Sequence, residues 1–500
     1  MRRFTVAALA ALALPSLHLA PLRAADAATP ANPAATPTLQ GGAEGRLAEK
    51  AAAAAREKFD LLLIGDSITH TVGELGGKYE RLKEVWARHF APRHALNLGF
   101  NGARTENILW DLEHGVLDGQ SPKAAVLLIG TNNSDDRHFP TVHTPEQILG
   151  GTKAIADCIR QRCPATKILI LRIFPRGGDS EAGAGDGVFH SSPACIATVR
   201  HAGELTAQLA DGKQVFWLDV NHVFLRLDGT INTDLMPDLL HPNLAGAEAW
   251  AQALEPTLAE LMGDQPLAVA TPANTALVPA TKLENDSYDW WARHRDVLAA
   301  AKTADPQVVL IGDSITHFWG GEPKANHVNG PKAWAAAFDT YRVLNLGFGW
   351  DRTQNVLWRL DHGELDGLHP HAIVLHIGTN NTSGTPNARQ NTPEEIADGI
   401  RAILIRVRSK APEARIILMA VFPREEKPDN PRRAQIAGIN KLIAEFGKTP
   451  GITFVDIGPK LVRPDGTLPR DMMSDFCHPT DKGYQVWADA LAPLLADACR

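Results

Sequence analysis

The chain alternates short, continuous apolar runs with stretches of helical character. The runs fall into two groups of five, one between residues 61 and 220 and one between residues 308 and 457. They are Leu61–Ile64, Ala95–Leu98, Ala125–Ile129, Lys167–Ile173, Gln214–Val220, Val308–Ile311, Val343–Leu346, Ala372–Ile377, Arg415–Val421 and Ile452–Ile457. Runs that are apolar on both faces and alternate with helices are typical of buried parallel strands. The pattern therefore predicts layered α/β domains with parallel sheets.

Two helix starts are marked clearly in the sequence. Thr144-Pro145-Glu146-Gln147 combines a capping hydroxyl, a proline at the first helical position and an amide three residues after the threonine. The segment 392–395, Thr-Pro-Glu-Glu, repeats this arrangement. Further helices are predicted at Leu47–Lys58 and, rich in tryptophan, at Tyr288–Ala301.

The two groups of runs belong to an internal duplication. The heptapeptide Ile64–His70 recurs without change at Ile311–His317, an offset of 247 residues. Four further landmarks recur in the same order, and a unit of this length is a whole domain, because solenoid repeats span only about 20–50 residues. The duplication predicts two tandem domains. The expected boundaries are a signal peptide at 1–28, a flexible spacer at 29–44, the first domain at 45–263, a linker at 264–282 and the second domain at 283–500.

The first residues have the features of a secretory signal. Arg2 and Arg3 precede a mostly apolar stretch at 4–20, and small residues at 24–28 offer cleavage sites. No other segment approaches the roughly 20 apolar residues of a membrane-spanning helix. These features predict an exported protein, secreted or periplasmic, without stable membrane insertion. A retained membrane anchor is the alternative.

Composition and charge exclude some partners and leave others open. The 500 residues are 44% hydrophobic and 21% charged, and the net charge of −7 provides no electrostatic basis for binding nucleic acid or an anionic membrane. The five cysteines lack metal-ligand spacing. We interpret them as packing residues, although a local disulfide between Cys158 and Cys163 stays open. The oligomeric state is not indicated.

The copies differ in length at one place. The offset falls from 248 at Arg176/Arg424 to 237 at Asp219/Asp456, so the first copy carries a net 11 extra residues. The insertion is expected within 177–192, which is rich in Gly, Asp and Ser. Such a segment could be a lid, but a surface loop is the simpler expectation.

Polar residues follow the apolar runs of the first copy, where ligands of parallel α/β sheets bind. Ser67 is a candidate nucleophile, His241 its base and Asp238 the carboxylate that orients the imidazole. The backbone N–H groups at Ser67 and Gly102, with the amide of Asn132, are candidates for an oxyanion hole.

The second copy repeats this set with one change. Ser314, Asp475 and His478 correspond to the first three residues, and Asn380 corresponds to Asn132. Trp350 stands where the first copy has a glycine. A backbone N–H is present in any residue except proline, so the oxyanion donor is expected to persist while the indole crowds the acyl pocket or contacts a sugar.

At these residues both copies resemble the GDSL, or SGNH, hydrolase superfamily over roughly 59–262 and 307–498. The second copy looks especially like the catalytic subunits of intracellular platelet-activating factor acetylhydrolase, at Leu344–Gly349, Val356–Leu360 and His376–Asn381. The resemblance implies a flavodoxin-like three-layer α/β/α fold, an acyl-serine intermediate, and no metal or other cofactor. It implies the four site roles Ser, Gly, Asn and His at the positions given above.

The resulting expectation is an exported tandem serine esterase that removes short acyl groups, in particular acetyl, from a small-molecule or glycan ester. Two alternatives remain. One is a lipase or lysophospholipase, distinguished by its preference for acyl-chain length. The other is a glycan-binding protein with one or both copies inactive, in which Trp319, Trp334 and Trp350 stack on sugars.

Overall fold

The computed structural model of the chain describes residues 31–74, 76–178, 187–267 and 274–500. Each copy forms a five-stranded parallel sheet, β1–β5 in the first and β6–β10 in the second. The strands are Leu61–Gly65, Ala95–Gly99, Ala124–Leu128, Lys167–Leu171, Val215–Leu218, Val308–Gly312, Val343–Gly347, Ala372–His376, Arg415–Met419 and Ile452–Val455. The orders β2-β1-β3-β4-β5 and β7-β6-β8-β9-β10 are the same, and both match the flavodoxin-like doubly wound order. The predicted fold is confirmed.

Helices cover both faces of each sheet. The α-helices, α1–α15 in chain order, are Glu44–Arg56, Ser67–Thr71, Lys83–His89, Thr105–Asp111, Pro145–Arg162, Pro193–Leu205, Leu244–Met262, Trp290–Ala301, Ser314–His317, Pro331–Phe338, Thr353–Asp361, Pro393–Lys410, Pro431–Ala444, Gly458–Leu461 and Asp481–Ala498. Both predicted capping boxes are present, at α5 with Thr144 and Gln147 and at α12 with Thr392 and Glu395. Leucine, isoleucine and valine of the strands fill separate apolar clusters on the two faces of each sheet.

A glycine ends the first strand of each copy because the chain passes very close to the adjacent strand at this turn. A Cβ atom on Gly65 would lie 2.3 Å from the carbonyl oxygen of Leu128, and one on Gly312 would lie 2.4 Å from that of His376. No side chain fits at these distances. The turn brings the next two residues of each copy, Asp-Ser, to the carboxyl edge of the sheet.

The segment expected to be a flexible spacer differs from that expectation in its described part. Residues Pro33–Ala35 form a short 3-10 turn, and the carbonyl oxygen of Ala34 accepts a hydrogen bond of 2.7 Å from Thr105 Oγ1. In the second copy Thr275–Leu277 repeats the turn within the expected linker. Each turn is fixed because its central alanine is buried. The tripeptide Pro-Ala-Asn at 30–32 and 272–274 was the available sequence signal.

The expected signal peptide, 1–28, lies outside the described residues, as does part of the expected linker. Within 31–74, 76–178, 187–267 and 274–500, no helix is both long enough and apolar enough to cross a bilayer. The five cysteines are free thiols, and Cys158 and Cys163 are buried without a bond between them.

The two copies meet through buried charges. Arg172, just after β4, donates a 2.8 Å hydrogen bond to Asp219 and a 3.2 Å bond to the carbonyl oxygen of Ser409 in the second copy. Lys410, the last residue of α12, lies 3.8 Å from Asp219 and 2.5 Å from Asp366. Charges on both sides of the interface therefore neutralise one another.

Candidate active site

In the first copy the three predicted triad residues form a continuous hydrogen-bonded relay. Asp66 caps α2 by accepting a 2.9 Å bond from the backbone N–H of Ile68, which fixes Ser67 at the helix start. Ser67 Oγ lies 2.9 Å from His241 Nε2. His241 Nδ1 lies 3.1 Å from Asp238 Oδ2. The geometry suits transfer of the serine proton to the imidazole.

The second copy contains the same relay in a more open setting. Ser314 Oγ lies 2.8 Å from His478 Nε2, and His478 Nδ1 lies 2.7 Å from Asp475 Oδ2. The side chains of His478 and Asp475 are 29% and 55% exposed. The corresponding values in the first copy are 7% for His241 and 8% for Asp238.

The expected oxyanion turns have the same backbone in both copies. Gly102 has φ 77° and Trp350 has φ 63°, so the tryptophan keeps the left-handed conformation that favours glycine. Asn132 Nδ2 donates to the carbonyl oxygen of Ala103, and Asn380 Nδ2 donates to that of Asp351, both at 2.9 Å. Each amide holds the turn with one N–H and has a second for a ligand.

Side chains that the sequence did not single out cover the first triad. Lys78 Nζ lies 3.2 Å from Asp238 Oδ2, the oxygen that His241 also contacts. The rings of Tyr79 and Phe189 lie 5.8 and 5.1 Å from the His241 ring, both edge-on. Nothing in the sequence distinguished Lys78 or Tyr79 from an ordinary surface pair.

Phe189 belongs to the insertion that we expected to be a surface loop. Residues 179–186 of it lie outside the described part of the chain, but its ends bond to the triad loop. The N–H of Gly177 donates 2.7 Å to the carbonyl oxygen of Leu239, and the N–H of Phe189 donates 2.8 Å to that of Asp238. The two described ends of the insertion therefore lie beside the first site, and Phe189 forms part of its wall.

Electrostatics favour the ionised carboxylates of both relays. Burial alone would raise the pKa of Asp238, but hydrogen bonds from the His241 ring and backbone, with the charge of the ring, lower it to about 2. Burial likewise opposes protonation of His478, yet the hydrogen bond and charge of Asp475 outweigh it and raise the pKa of that histidine. Each imidazole therefore has an ionised carboxylate beside Nδ1.

Residues 63–249 and 310–486 both match the sequence profile of the GDSL-like lipase/acylhydrolase family. The chain belongs to this family. The two matches fall on the two described sheets, and the resemblance inferred from the motifs is confirmed. Membership makes the chain a carboxylic ester hydrolase, as the sequence predicted.

Similar proteins agree with this assignment. The chain is 34% identical over 226 residues to platelet-activating factor acetylhydrolase IB subunit alpha2 of Rattus norvegicus, which covers 45% of this chain and 91% of the relative. The alpha1 subunit of Homo sapiens is 34% identical over 207 residues, 41% of this chain and 82% of the relative.

Solved structures of similar proteins cover about one copy each. A GDSL-like lipase from Bacteroides thetaiotaomicron aligns with 22% identity over 42% of this chain and 99% of its own, with a TM-score of 0.34. The acetylxylan esterase Axe2 from Geobacillus stearothermophilus aligns with 19% identity over 38% of this chain and 94% of its own, with a TM-score of 0.32.

Proposed function

We propose that this GDSL-family hydrolase is an exported tandem serine esterase in which each copy carries its own active site. Ser67 and Ser314 are the nucleophiles, and His241 and His478 are their bases. The observation that carries the proposal is the unbroken Ser–His–Asp relay in each copy, with Ser–His distances of 2.9 and 2.8 Å. No residue is exchanged between the copies.

The relay accounts for both halves of ester hydrolysis. The serine oxygen attacks the ester carbonyl while its proton passes to Nε2 of the histidine, and the carboxylate stabilises the imidazolium. The resulting oxyanion is held by the backbone N–H groups of Ser67 and Gly102 and the free N–H of Asn132, or by Ser314, Trp350 and Asn380 in the second copy. The tetrahedral species then collapses, and the imidazolium gives its proton to the departing alcohol. Water, deprotonated by the same histidine, cleaves the acyl-serine to release the acid.

The acyl group that we propose is short, in particular acetyl, and the alcohol is a small molecule or a carbohydrate. Support comes from the acetylhydrolase subunits to which the chain is 34% identical. The apolar stretch at 4–20 after two arginines supports export, and an exported esterase encounters acetylated glycans more readily than intracellular phospholipids.

Acyl-chain length and acceptor together test this specificity. We expect p-nitrophenyl acetate to be hydrolysed with a higher kcat/KM than the octanoate, and acetate to be released from at least one member of a panel of acetylated glycans. The Ser67→Ala/Ser314→Ala variant serves as the blank. A preference for octanoyl or longer chains would instead support the lipase alternative.

The second site should lose activity on the acid side of neutrality. Only the neutral His478 can accept the serine proton, and the raised pKa of this ring places its protonation above the ordinary value of about 6.5. In a Ser67→Ala background, kcat/KM for p-nitrophenyl acetate should therefore fall as the pH drops through a midpoint above 6.5.

Asp475→Asn removes the charge that raises this pKa. The acid limb should move to lower pH, and kcat should fall by about 10,000-fold because the amide favours the wrong imidazole tautomer. An unchanged midpoint in a measurably active Asp475→Asn variant would contradict the role given to Asp475.

Trp350 is expected to restrict small esters at the second site. In a Ser67→Ala background, Trp350→Gly should raise kcat/KM for p-nitrophenyl acetate several-fold, because glycine adopts φ 63° without strain and opens the oxyanion turn. The control uses a Ser314→Ala background, in which only the first site is active. There, Trp350→Gly should leave kcat/KM for p-nitrophenyl acetate unchanged.

A further inference from the structure

The second copy carries large side chains at two positions where the first copy has glycine in a left-handed backbone. Gly102 (φ 77°) corresponds to Trp350 (φ 63°), and Gly177 (φ 63°) corresponds to Glu425 (φ 71°). Residues with a Cβ are disfavoured in this region, and such strain concentrates at functional sites. Glycine would adopt this backbone with less strain, so the two side chains offset a conformational cost.

The two positions lie on either side of the second active site. In the sheet order β9-β8-β6-β7, Ser314 follows β6 and Asn380 follows β8, whereas Trp350 follows β7 and Glu425 follows β9. Three strand spacings of about 4.8 Å separate β7 from β9, so the ends of these strands are roughly 14 Å apart, with the end of β6 and the nucleophile between them. A substrate in contact with both would extend well beyond its ester group.

A groove of about 740 Å³, lined mostly by polar residues, opens at Glu425. It is lined by Gln390, Asn391, Thr392, Pro393, Glu425, Asn430, Pro431, Arg432 and Gln435. The N–H of Glu425 donates 2.8 Å to the carbonyl oxygen of Phe476, two residues before His478. The N–H of Asn391 donates 3.0 Å to the carbonyl oxygen of Asn381, next to Asn380. The groove is thus bonded to the loops that carry the triad histidine and the oxyanion amide.

The lining favours a neutral, hydroxyl-rich ligand. Arg432 forms an ion pair with Glu425, so the two charges give this part of the lining no net charge. Gln390 Nε2 donates 2.9 Å to Gln435 Oε1, and Gln435 Nε2 donates 2.8 Å to the carbonyl oxygen of Asn391. An amide has two N–H groups and two lone pairs, so each keeps hydrogen-bonding capacity beyond these contacts. On the other side of the nucleophile, the indole of Trp350 is 40% exposed. Exposed indole faces stack on the apolar faces of sugar rings, whereas an acyl chain would require an apolar channel.

We propose that Trp350 and the groove at Glu425 form a binding site for the carbohydrate leaving group of an acylated oligosaccharide, present in the second copy alone. The inference rests on the proposed esterase function. The two copies would then differ in substrate: the second site hydrolyses extended glycan esters, and the first hydrolyses small esters.

In its described residues, the first copy lacks the two large side chains and the charged and amide groups that line the groove. Gly102 and Gly177 replace the two large side chains, and Val142 stands at the position of Gln390. The first two turns of α6, residues 193–198, contain no charged or amide side chain, whereas the matching turns of α13 provide Arg432 and Gln435. The triad there is also covered by the rings of Tyr79 and Phe189.

The experiment compares two substrates at one active site. In a Ser67→Ala background, Trp350→Gly/Glu425→Gly gives the second site the residues of the first at both positions. The probes are partially acetylated cellotetraose and p-nitrophenyl acetate. We expect kcat/KM for the oligosaccharide to fall at least tenfold, mainly through a higher KM. The ratio of the two kcat/KM values, oligosaccharide over small ester, should fall further, because the small ester gains several-fold from Trp350→Gly. A kcat/KM for the oligosaccharide unchanged within twofold overturns the proposal.

Three further measurements distinguish failure of the glycan-binding proposal from misfolding of the double variant and from failure of the proposed esterase function. Gln435→Ala truncates the groove without altering a left-handed position and should lower the ratio several-fold, which keeps the test valid if the double variant does not fold. Lys441→Ala, an exposed change farther along α13, should leave the ratio unaltered. A Ser67→Ala parent that hydrolyses neither probe contradicts the proposed function of the second site, whereas one that hydrolyses only the small ester overturns the glycan site alone.

Discussion

Ser67→Ala/Ser314→Ala is expected to lower kcat/KM for p-nitrophenyl acetate by at least about 10,000-fold, because removing a triad serine leaves only binding and oxyanion stabilisation. Each single variant should keep the activity of the other copy, since each relay is complete within its own sheet. Initial rates with purified protein measure all three variants against wild type.

A matched change should spare the activity. Ser383 lies in the loop after Asn380, in the same copy as Ser314, and its hydroxyl accepts a long 3.4 Å hydrogen bond from Arg424. The control is Ser383→Ala. It should retain activity within a few-fold of wild type. Full activity in the double serine variant would show that the ester is cleaved elsewhere on the chain.

Lys410→Met is expected to destabilise the protein by about 3 kcal/mol, the second large effect that the structure predicts. Burial disfavours the Lys410 ammonium, but the charges of Asp366 and Asp219 outweigh this and raise its pKa. Loss of the cation leaves Asp366 without this partner and weakens the pairing of the buried Asp219 between the copies. Urea unfolding followed by tryptophan fluorescence gives the change in the free energy of unfolding.

Lys482→Met is the matched control. Lys482 lies 2.6 Å from Asp471, a comparable distance, but both side chains are largely exposed, so water replaces the lost contact. Its unfolding curve should coincide with that of wild type. If the Lys410→Met curve also coincides with that of wild type, the prediction is wrong. The cost of burying the Lys410 charge would then equal its attraction to the two aspartates.

The sequence was sufficient to predict the sheets and the grouping of the Ser, His and Asp side chains because their signals are local or repeated. Strand boundaries agreed within two residues; for example, Gln214–Val220 became Val215–Leu218. The capping boxes depend on four adjacent residues, and the Asp-x-x-His spacing brings carboxylate and ring together within one loop. Duplication supplied an independent second observation of each motif.

Features that depend on contacts between distant segments were not predictable. Lys78 meets Asp238 across 160 residues, and the insertion end at Phe189 meets His241 only after the sheet has formed. The charges at the interface of the copies, such as Arg172 and Lys410, are spread over more than 200 residues and resemble ordinary surface charges in the sequence. The turn at Pro33–Ala35 was missed for the same reason, because its position depends on hydrogen bonds to α4 and α5.

The central claim is that both serines are activated nucleophiles. Labelling of the intact chain with a fluorophosphonate, followed by peptide mapping, tests it most directly, since the reagent modifies a serine whose proton is removed by a neighbouring base. We expect two labels per chain, one on Ser67 and one on Ser314, with each lost in the corresponding alanine variant. Absence of label from either serine would contradict this claim, and absence from both would contradict the esterase function itself.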